Sequence, residues 1–168
     1  MSPEQNHAAG GDATAQYCTF KVDHLLIGIE VWRVQEVIRH QPMTHVPLAP
    51  KEVRGLINLR GQIVTAIDVR QWLGLPGRSD GASSMNVVLR LNDEAISLLV
   101  DEAGEVVEPA ADTHEGVPST ASGQIRTMFS GTYKLDGALL LVLDTESVTR
   151  ISGENGAGAA HSATRRAS

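Results

Sequence analysis

The sequence has little cysteine, few aromatic residues and no excess of positive charge. Its 168 residues include one cysteine, Cys18, which excludes an internal disulfide framework and a zinc site built from several thiolates. There are 14 basic residues against 20 acidic ones, a formal net charge of −6, so the chain lacks the basic excess that neutralises phosphates. We therefore expect no nucleic acid among its partners and no basic surface for binding membranes.

Long hydrophobic runs are also absent. The apolar stretches, such as 138–143, are far shorter than the roughly 20 residues that a helix needs to span a bilayer. Residues 1–12 are polar and have neither the positive n-region nor the apolar h-region of a secretory signal. The sequence predicts a cytoplasmic protein without direct membrane insertion, which reaches a membrane only through a partner.

Clusters of metal-ligating or catalytic residues are missing as well. None of the six histidines has a His-x-His or His-Glu-x-x-His spacing, and the predicted core has no Gly-x-Ser-x-Gly element and no glycine-rich phosphate loop. Asp101 and Glu102 fall where strand ends are expected, which favours a solvated rim over an acid/base pair. The sequence predicts no catalytic residue, metal or cofactor. One rival of a different class stays open, a small β-barrel enzyme or ligand-binding protein that uses His40, His45 and neighbouring acids.

What the sequence does contain is a series of short segments rich in Val, Ile and Leu, separated by Gly, Asn-Asp, Asp-Gly and Pro. This spacing is typical of an all-β sandwich or barrel. The predicted strands are 16–22, 25–30, 37–40, 55–59, 62–68, 86–91, 95–100, 106–108, 128–135 and 138–143. The predicted short helices are 31–35, 51–54, 69–73 and 145–150.

An internal repeat is visible in two pairs of segments. Residues 59–68 and 135–144 share a Leu-x-Gly start, an apolar run and a closing Asp. Residues 27–38 and 96–107 each run from an apolar strand to a Glu-Val step, in the same order along the chain. Two matching pairs indicate two pseudo-symmetric β lobes.

The repeat suggests a domain division. We expect one domain over residues 15–150, with lobes at roughly 15–80 and 84–150 and a junction in the Gly-, Ser- and Pro-rich stretch near 74–84. Residues 1–14 and 151–168, rich in Gly, Ala and Ser, are predicted to be flexible tails.

Two features favour a binding surface. Residues 34–38 mix polar residues with Val and Ile, as a partner-facing strand edge does, although ordinary lobe core is the alternative. Arg60 lies in the turn 58–61, where Gly61 can supply a positive φ and no acid lies nearby in the sequence. We expect its guanidinium to point outward, as a binding residue or as an ordinary exposed arginine.

Five short motifs together are specific to one family. They are Ile27-Gly28-Ile29-Glu30, Val34-Gln35-Glu36-Val37, residues 44–50 (THVPLAP), residues 54–61 (RGLINLRG) and Leu99-Val100-Asp101-Glu102. With them the sequence resembles the CheW-like coupling proteins of bacterial chemotaxis, over roughly residues 16–150. The resemblance implies an all-β fold of two SH3-like five-stranded β-barrel lobes packed side by side, with short connecting helices.

The resemblance also implies a function. CheW-like proteins are non-enzymatic adaptors that link the cytoplasmic tip of methyl-accepting chemotaxis receptors to a CheA-type histidine kinase, whose regulatory domain is itself CheW-like, within receptor arrays. The alternative within the same fold is an adaptor of a non-flagellar chemosensory pathway, such as pilus motility or developmental regulation.

The same resemblance assigns roles to residues. Arg60 matches a receptor-contact arginine, and Val87 and Val88 match positions that line a receptor groove between the lobes. The positions implied in partner binding are Val34, Glu36, Ile38 and Arg54. The departures from the family pattern, which bear on partner choice, are Trp32, His45 and Thr65.

Overall fold

The computed structural model describes residues 15–78, 83–121 and 123–152. Within them the strands are β1 (Tyr17–Val22), β2 (Leu25–Glu30), β3 (Val34–Arg39), β4 (Val53–Leu59), β5 (Gln62–Asp68), β6 (Met85–Leu91), β7 (Glu94–Val100), β8 (Glu102–Val107), β9 (Phe129–Leu135) and β10 (Ala138–Leu143). The α-helices are α1 (Val69–Leu73), α2 (Gly123–Met128) and α3 (Thr145–Ile151), and the 3-10 helices are Val31–Arg33 and Ala111–Thr113. No helix of this described part is long and apolar enough to cross a membrane.

The strands form two five-stranded sheets. Sheet 1 has the order β8-β1-β2-β10-β9, and sheet 2 has the order β3-β6-β7-β5-β4. Most neighbours are antiparallel, but β10 pairs with β2, and β5 with β7, in parallel. The predicted all-β fold of two five-stranded SH3-like lobes is confirmed.

The predicted boundary between the lobes is wrong. Sheet 2 is built from residues 34–100, whereas sheet 1 takes strands from both ends of the described chain. The chain crosses between the sheets twice, from β2 to β3 and again from β7 to β8. Residues 27–38 and 96–107, one of the repeated pairs, are these two crossings, so the repeat is real but the lobes are interleaved rather than consecutive.

The other repeated pair forms equivalent hairpins. Each consists of a hairpin, β4–β5 or β9–β10, followed directly by a helix. The closing aspartates, Asp68 and Asp144, accept hydrogen bonds from the backbone N–H of Arg70 and Glu146 at 3.0 and 3.1 Å. The repeated Asp is therefore the N-cap of α1 and of α3.

A single large core joins the two sheets. It takes Phe20 and Ile27 from sheet 1, Val87 and Leu98 from sheet 2, and Trp72 from α1, all buried. Two smaller clusters lie within the sheets, one in sheet 2 around Ile57, Val64, Ala66, Val88 and Ala95, and one in sheet 1 around Tyr17, Leu140 and Val142. Because apolar burial is the main stabilising term, the shared core holds the lobes together.

The remaining differences from the predictions concern the helices and the ends of the described chain, and the helix α2 is not among the predicted elements. Residues 51–52 form a turn and Val53–Arg54 already belong to β4, so the predicted helix there is wrong. The predicted helix at 31–35 ends at Arg33, where β3 begins. The predicted C-terminal tail starts too early, because Ile151 ends α3 and Ser152 is buried. Residues 1–14 and 153–168 of the two predicted tails lie outside the described residues.

Candidate partner-binding site

The β4–β5 hairpin presents Arg60 at its tip. Arg60 and Gly61 form a two-residue turn with φ of 52° and 85°, and the backbone N–H of Gly61 donates to Asn58 Oδ1 at 2.9 Å. Positive φ at both turn residues is the type I′ geometry that matches the twist of the strands. Gly61 accepts it readily, as predicted, whereas Arg60 adopts a conformation that a β-carbon disfavours. The turn thus places an arginine at a position where Asn or Gly would adopt the positive φ at a lower energetic cost.

Arg60 is paired with Glu36 on β3. The Arg60 guanidinium donates from Nη2 to Glu36 Oε2, and the two side chains are 67% and 23% exposed. Hydrogen bonds from Arg60 and then from Gln35 lower the pKa of Glu36, and the Glu36 carboxylate raises the pKa of Arg60. Arg60 points outward, as predicted, and the acid that pairs with it is not local in the sequence but lies 24 positions away.

This ion pair spans the two edges of sheet 2. β3 and β4 are the outermost strands of the order β3-β6-β7-β5-β4, and the pair joins β3 to the β4–β5 turn. Glu36 lies opposite Val88 in the β3–β6 register, over the smaller core of sheet 2. We call Glu36, Arg60 and the turn that carries Arg60 the charged-pair surface.

The residues predicted around Glu36 are only partly accessible. β3 is an edge strand, as expected, but its burial alternates, with Val34, Glu36 and Ile38 half-buried. Val34 packs against the shared core, and Ile38 packs against the core of sheet 2. The segment is thus an edge strand that also contributes Val34 and Ile38 to the cores, and its contact with a partner stays a prediction.

Arg54 lies away from the charged-pair surface. It is at the opposite end of the seven-residue β4 from Arg60, a separation of about 20 Å at the usual rise per residue. Its Nη1 lies 3.7 Å from Oδ2 of the buried Asp68, and its side chain is 56% exposed. The structure thus divides the predicted partner-binding residues between two regions of sheet 2.

Val87 and Val88 cannot form the predicted groove. Both side chains are fully buried, Val87 in the shared core and Val88 in the core of sheet 2. Their strand, β6, is covered on both edges by β3 and β7. The prediction that these two valines contact a receptor directly is wrong for this structure.

Within the described ranges, the metal-ligating side chains do not cluster at the charged-pair surface or elsewhere. The described residues contain no group of three or more His, Cys, Asp or Glu side chains that could hold a metal ion. His40 Nδ1 lies 3.0 Å from Ser84 Oγ, and His45 is exposed on the loop after β3. The histidines of the rival interpretation thus have ordinary surface surroundings.

The comparison with known families agrees with the motifs. A family model for the CheW-like domain matches residues 16–152. The chain belongs to the CheW-like domain family. Chemotaxis protein CheW of Klebsiella aerogenes is 25% identical over 140 residues, covering 83% of this chain and 84% of that protein. Chemotaxis protein CheW of Rhizobium meliloti is 25% identical over 148 residues, covering 88% and 94%.

A solved structure is similar in fold. The crystal structure of the scaffolding protein TtCheW from Thermoanaerobacter tengcongensis superposes with a TM-score of 0.70 at 26% identity, over 79% of this chain and 90% of that one. The chain is thus a CheW-like chemotaxis adaptor in family and fold, and the family and this scaffolding structure point to a non-enzymatic role.

The sequence interpretation missed one charged cluster of this CheW-like domain. Arg70 on α1 binds Asp101 through two hydrogen bonds, Nε to Oδ1 at 2.9 Å and Nη2 to Oδ2 at 2.7 Å. Asp101 also accepts a hydrogen bond from the backbone N–H of Asp23 at 2.7 Å, and Arg78 Nε lies 3.1 Å from Asp101 Oδ1. The sequence predicts a solvated rim for Asp101, but its side chain is only 17% exposed.

This cluster links the two sheets electrostatically. Burial by itself would raise the pKa of Asp101, but hydrogen bonds from Arg70 and Asp23 and the charges of Arg70 and Arg78 lower it. Arg70 and Arg78 follow β5 of sheet 2, while Asp23 lies in the β1–β2 turn of sheet 1. We call Asp23, Arg70, Arg78 and Asp101 the inter-sheet cluster. The sequence signal for it is the Leu99-Val100-Asp101-Glu102 motif, which sits at the second crossing between sheets.

Burial of Val88 leads to a prediction. Val88→Ala removes two methyl groups from the core of sheet 2, and we expect it to destabilise the protein by about 2 kcal/mol in urea unfolding. The affinity of the folded variant for any partner should stay within about twofold of wild type, because the side chain has no exposed surface. A loss of affinity of tenfold or more with unchanged stability would restore the groove interpretation.

Proposed function

We propose that this protein couples methyl-accepting chemotaxis receptors to a CheA-type histidine kinase, with the charged-pair surface binding the receptor's cytoplasmic tip. The observation that carries the proposal is Arg60, which keeps a disfavoured left-handed conformation and leaves two-thirds of its side chain exposed. Disfavoured backbone conformations persist where the surrounding structure and the function require them.

The geometry suits recognition of an acidic or polar partner group. A guanidinium has five N–H donors, and within the described residues Arg60 uses only Nη2, toward Glu36. Glu36 fixes the direction of the side chain, while Nε and Nη1 are left to donate to a carboxylate or a helix C-terminal carbonyl. Membership in the CheW-like family supports a receptor as the protein that supplies such a group.

The adaptor role requires a second surface. A protein that couples a receptor to a kinase must hold both at once, so the two contacts cannot overlap. The kinase's regulatory domain is expected to have the same fold, and contacts between two such domains through different faces can extend into arrays. In this proposal the protein joins receptor arrays at the membrane through these partners.

Reconstitution tests this proposal. The purified protein, the CheA-type kinase and a receptor cytoplasmic fragment from the source organism are combined, and phosphorylation of the kinase is measured. We expect receptor-dependent control of the kinase only when all three are present, and we expect Arg60→Ala to abolish most of it. Arg126→Ala, which removes an exposed arginine from α2 beside sheet 1, is the matched control.

Two outcomes distinguish the alternatives. Control of the kinase that does not depend on this protein, or that is as strong with Arg60→Ala as with wild type, would contradict the proposal. If coupling occurs, deletion of the gene with assays of swimming and of pilus-driven movement separates a flagellar pathway from a non-flagellar one.

A further inference from the structure

The connection between β7 and β8 is the shorter of the two crossings between the sheets. β7 ends at Val100 in sheet 2 and β8 begins at Glu102 in sheet 1, so Asp101 alone joins them. The chain bends at this residue. The other crossing, from β2 to β3, contains the three residues of a 3-10 helix. A connection of one residue leaves no slack between two strands that belong to different sheets.

This bend divides sheet 1 into two parts of the chain. β1 and β2 precede the bend, whereas β8, β9 and β10 follow it. The two parts meet at two strand pairs, β1 with β8 and β2 with β10. Neither pair requires both strands to come from the same molecule, because the backbone hydrogen bonds and the side-chain packing are the same within one copy as between two. The segment from β8 to α3 can therefore complete sheet 1 of a second copy.

The inter-sheet cluster holds the bend in place. Arg70 donates two hydrogen bonds to the Asp101 carboxylate, and the backbone N–H of Asp23 donates a third at 2.7 Å. The backbone N–H of Asp101 in turn donates to the carbonyl of Lys21 at 3.0 Å. Arg70 follows β5 of sheet 2, whereas Lys21 and Asp23 lie in or directly after β1 of sheet 1. Straightening the bend would break contacts of Asp101 with both sheets.

We propose that Asp101 is the hinge of a strand-exchanged dimer, in which β8 to α3 of each chain complete sheet 1 of the other. In this dimer Asp101 straightens, and residues 94–107 form one extended segment of about 45 Å between the two folded units. Short hinge connections promote this kind of exchange. The inter-sheet cluster favours the monomer, because its contacts with Asp101 are the ones that the dimer lacks.

The exchange leaves the charged-pair surface intact. All strands of sheet 2 lie within residues 34–100, on one side of the hinge, so Glu36 and Arg60 stay in the same chain. Each dimer carries two such surfaces, and a molecule with two sites binds a multivalent partner more tightly than a molecule with one. The inference does not depend on the proposed function, since it rests on the strand order and on the contacts of Asp101.

Refolding at different concentrations tests the inference. The full-length protein is unfolded in urea, refolded at about 5 μM and at about 500 μM, and analysed by size-exclusion chromatography with light scattering. The hinge variants are Arg70→Ala and Asp101→Asn, which keeps the shape of the side chain but removes its charge. Arg126→Ala, which removes an exposed arginine from α2, is the matched control.

A pair of cysteines distinguishes exchange from ordinary association. The sequence has one cysteine, Cys18 on β1, which lies opposite Val106 on β8. All proteins in the test therefore also carry Val106→Cys, at a position where the native side chain is 51% exposed. Opposite residues of an antiparallel pair lie within the Cα distance that a disulfide allows. After oxidation the disulfide joins β1 and β8 of one chain in a monomer, but of two chains in an exchanged dimer, which then has twice the mass on a denaturing gel without reductant.

We expect the dimer fraction to rise with protein concentration and the dimers to contain the disulfide between chains. Arg70→Ala and Asp101→Asn should raise the dimerisation constant about tenfold or more, because each dimer has two hinges and the loss of hinge contacts counts twice. Arg126→Ala should leave the constant unchanged. The dimers should also persist after dilution, because their chains separate only when sheet 1 opens.

Two results would overturn the inference. Hinge variants that stay as monomeric as the control at both concentrations would show that the contacts of Asp101 do not oppose exchange. Dimers whose chains separate on the gel after oxidation would have associated through their surfaces, without exchange of strands. Asp101→Asn gives the same comparison if Arg70→Ala does not refold.

Discussion

Arg60→Glu is expected to lower the affinity of the protein for a receptor cytoplasmic fragment about a hundredfold. The substitution removes the outward guanidinium and places a second carboxylate beside Glu36, so the site would repel the acidic group that we propose it binds. Binding is measured by titration calorimetry at two salt concentrations. The folded fraction is checked by circular dichroism, because repulsion between two carboxylates also weakens the contact between β3 and the β4–β5 turn.

A charge swap separates recognition from structure. Glu36→Arg combined with Arg60→Glu restores an ion pair between the same positions with the charges exchanged. If Arg60 contacts the receptor, the double variant regains thermal stability but not affinity. Full recovery of affinity would mean that the ion pair acts only by holding the sheet closed, and the assigned contact would be wrong. Arg126→Glu reverses an exposed arginine elsewhere and controls for net charge.

Loss of Arg70 is expected to give the largest change in stability. Arg70→Ala should destabilise the protein by about 2 to 4 kcal/mol in urea unfolding, because it leaves the mostly buried Asp101 without the two hydrogen bonds from the guanidinium. It also removes the bond from Arg70 Nη1 to the carbonyl of Pro76, at 2.7 Å. Arg126→Ala should change stability by less than about 0.5 kcal/mol. A loss below about 1 kcal/mol for Arg70→Ala would show that the inter-sheet cluster is not needed for stability.

The same cluster predicts how stability depends on pH. Asp101 has a lowered pKa in the folded protein, so its contribution is fully present above the unfolded value of about 3.9. The contribution is lost as the pH falls through the lower, folded value. Asp101→Asn removes this titration, and we expect its stability to fall less steeply than that of wild type below about pH 4. Parallel acid-unfolding curves would contradict the assignment.

The strands could be predicted because short apolar runs between turn residues report sheet structure locally. The bounds of β2, β5 and β10 agree with the sequence pattern residue for residue, as do those of α1. β8 is longer than predicted, since its residues are mostly exposed and its first four, Glu-Ala-Gly-Glu, show no alternation of apolar and polar residues. The sequence pattern does not predict α2. Nor does it predict the order of the strands in each sheet, because that order depends on pairings between residues that are distant in the sequence.

The candidate site shows the same division between local and distant information. The turn at Arg60 follows from the sequence, whereas its pairing with Glu36 is a tertiary contact. For Val87 and Val88, the relevant information is local, namely the direction of successive side chains along a strand. Successive residues of a strand point to opposite faces, so two adjacent valines cannot both line one groove. The two-residue period of a strand is enough by itself to contradict that assignment.

The double crossing between the sheets also sets the order in which the fold can be completed during synthesis. All strands of sheet 2 lie within residues 34–100, so they emerge from the ribosome together, after β1 and β2. Sheet 1 has to wait for β8, β9 and β10, and β2 meets its parallel partner β10 only when Leu140–Val142 have been made. Until then the growing chain holds a β1–β2 hairpin that lacks β10 on one side, and the shared core is incomplete. The strands in the last third of the described chain therefore complete the sheet that begins with β1 and β2.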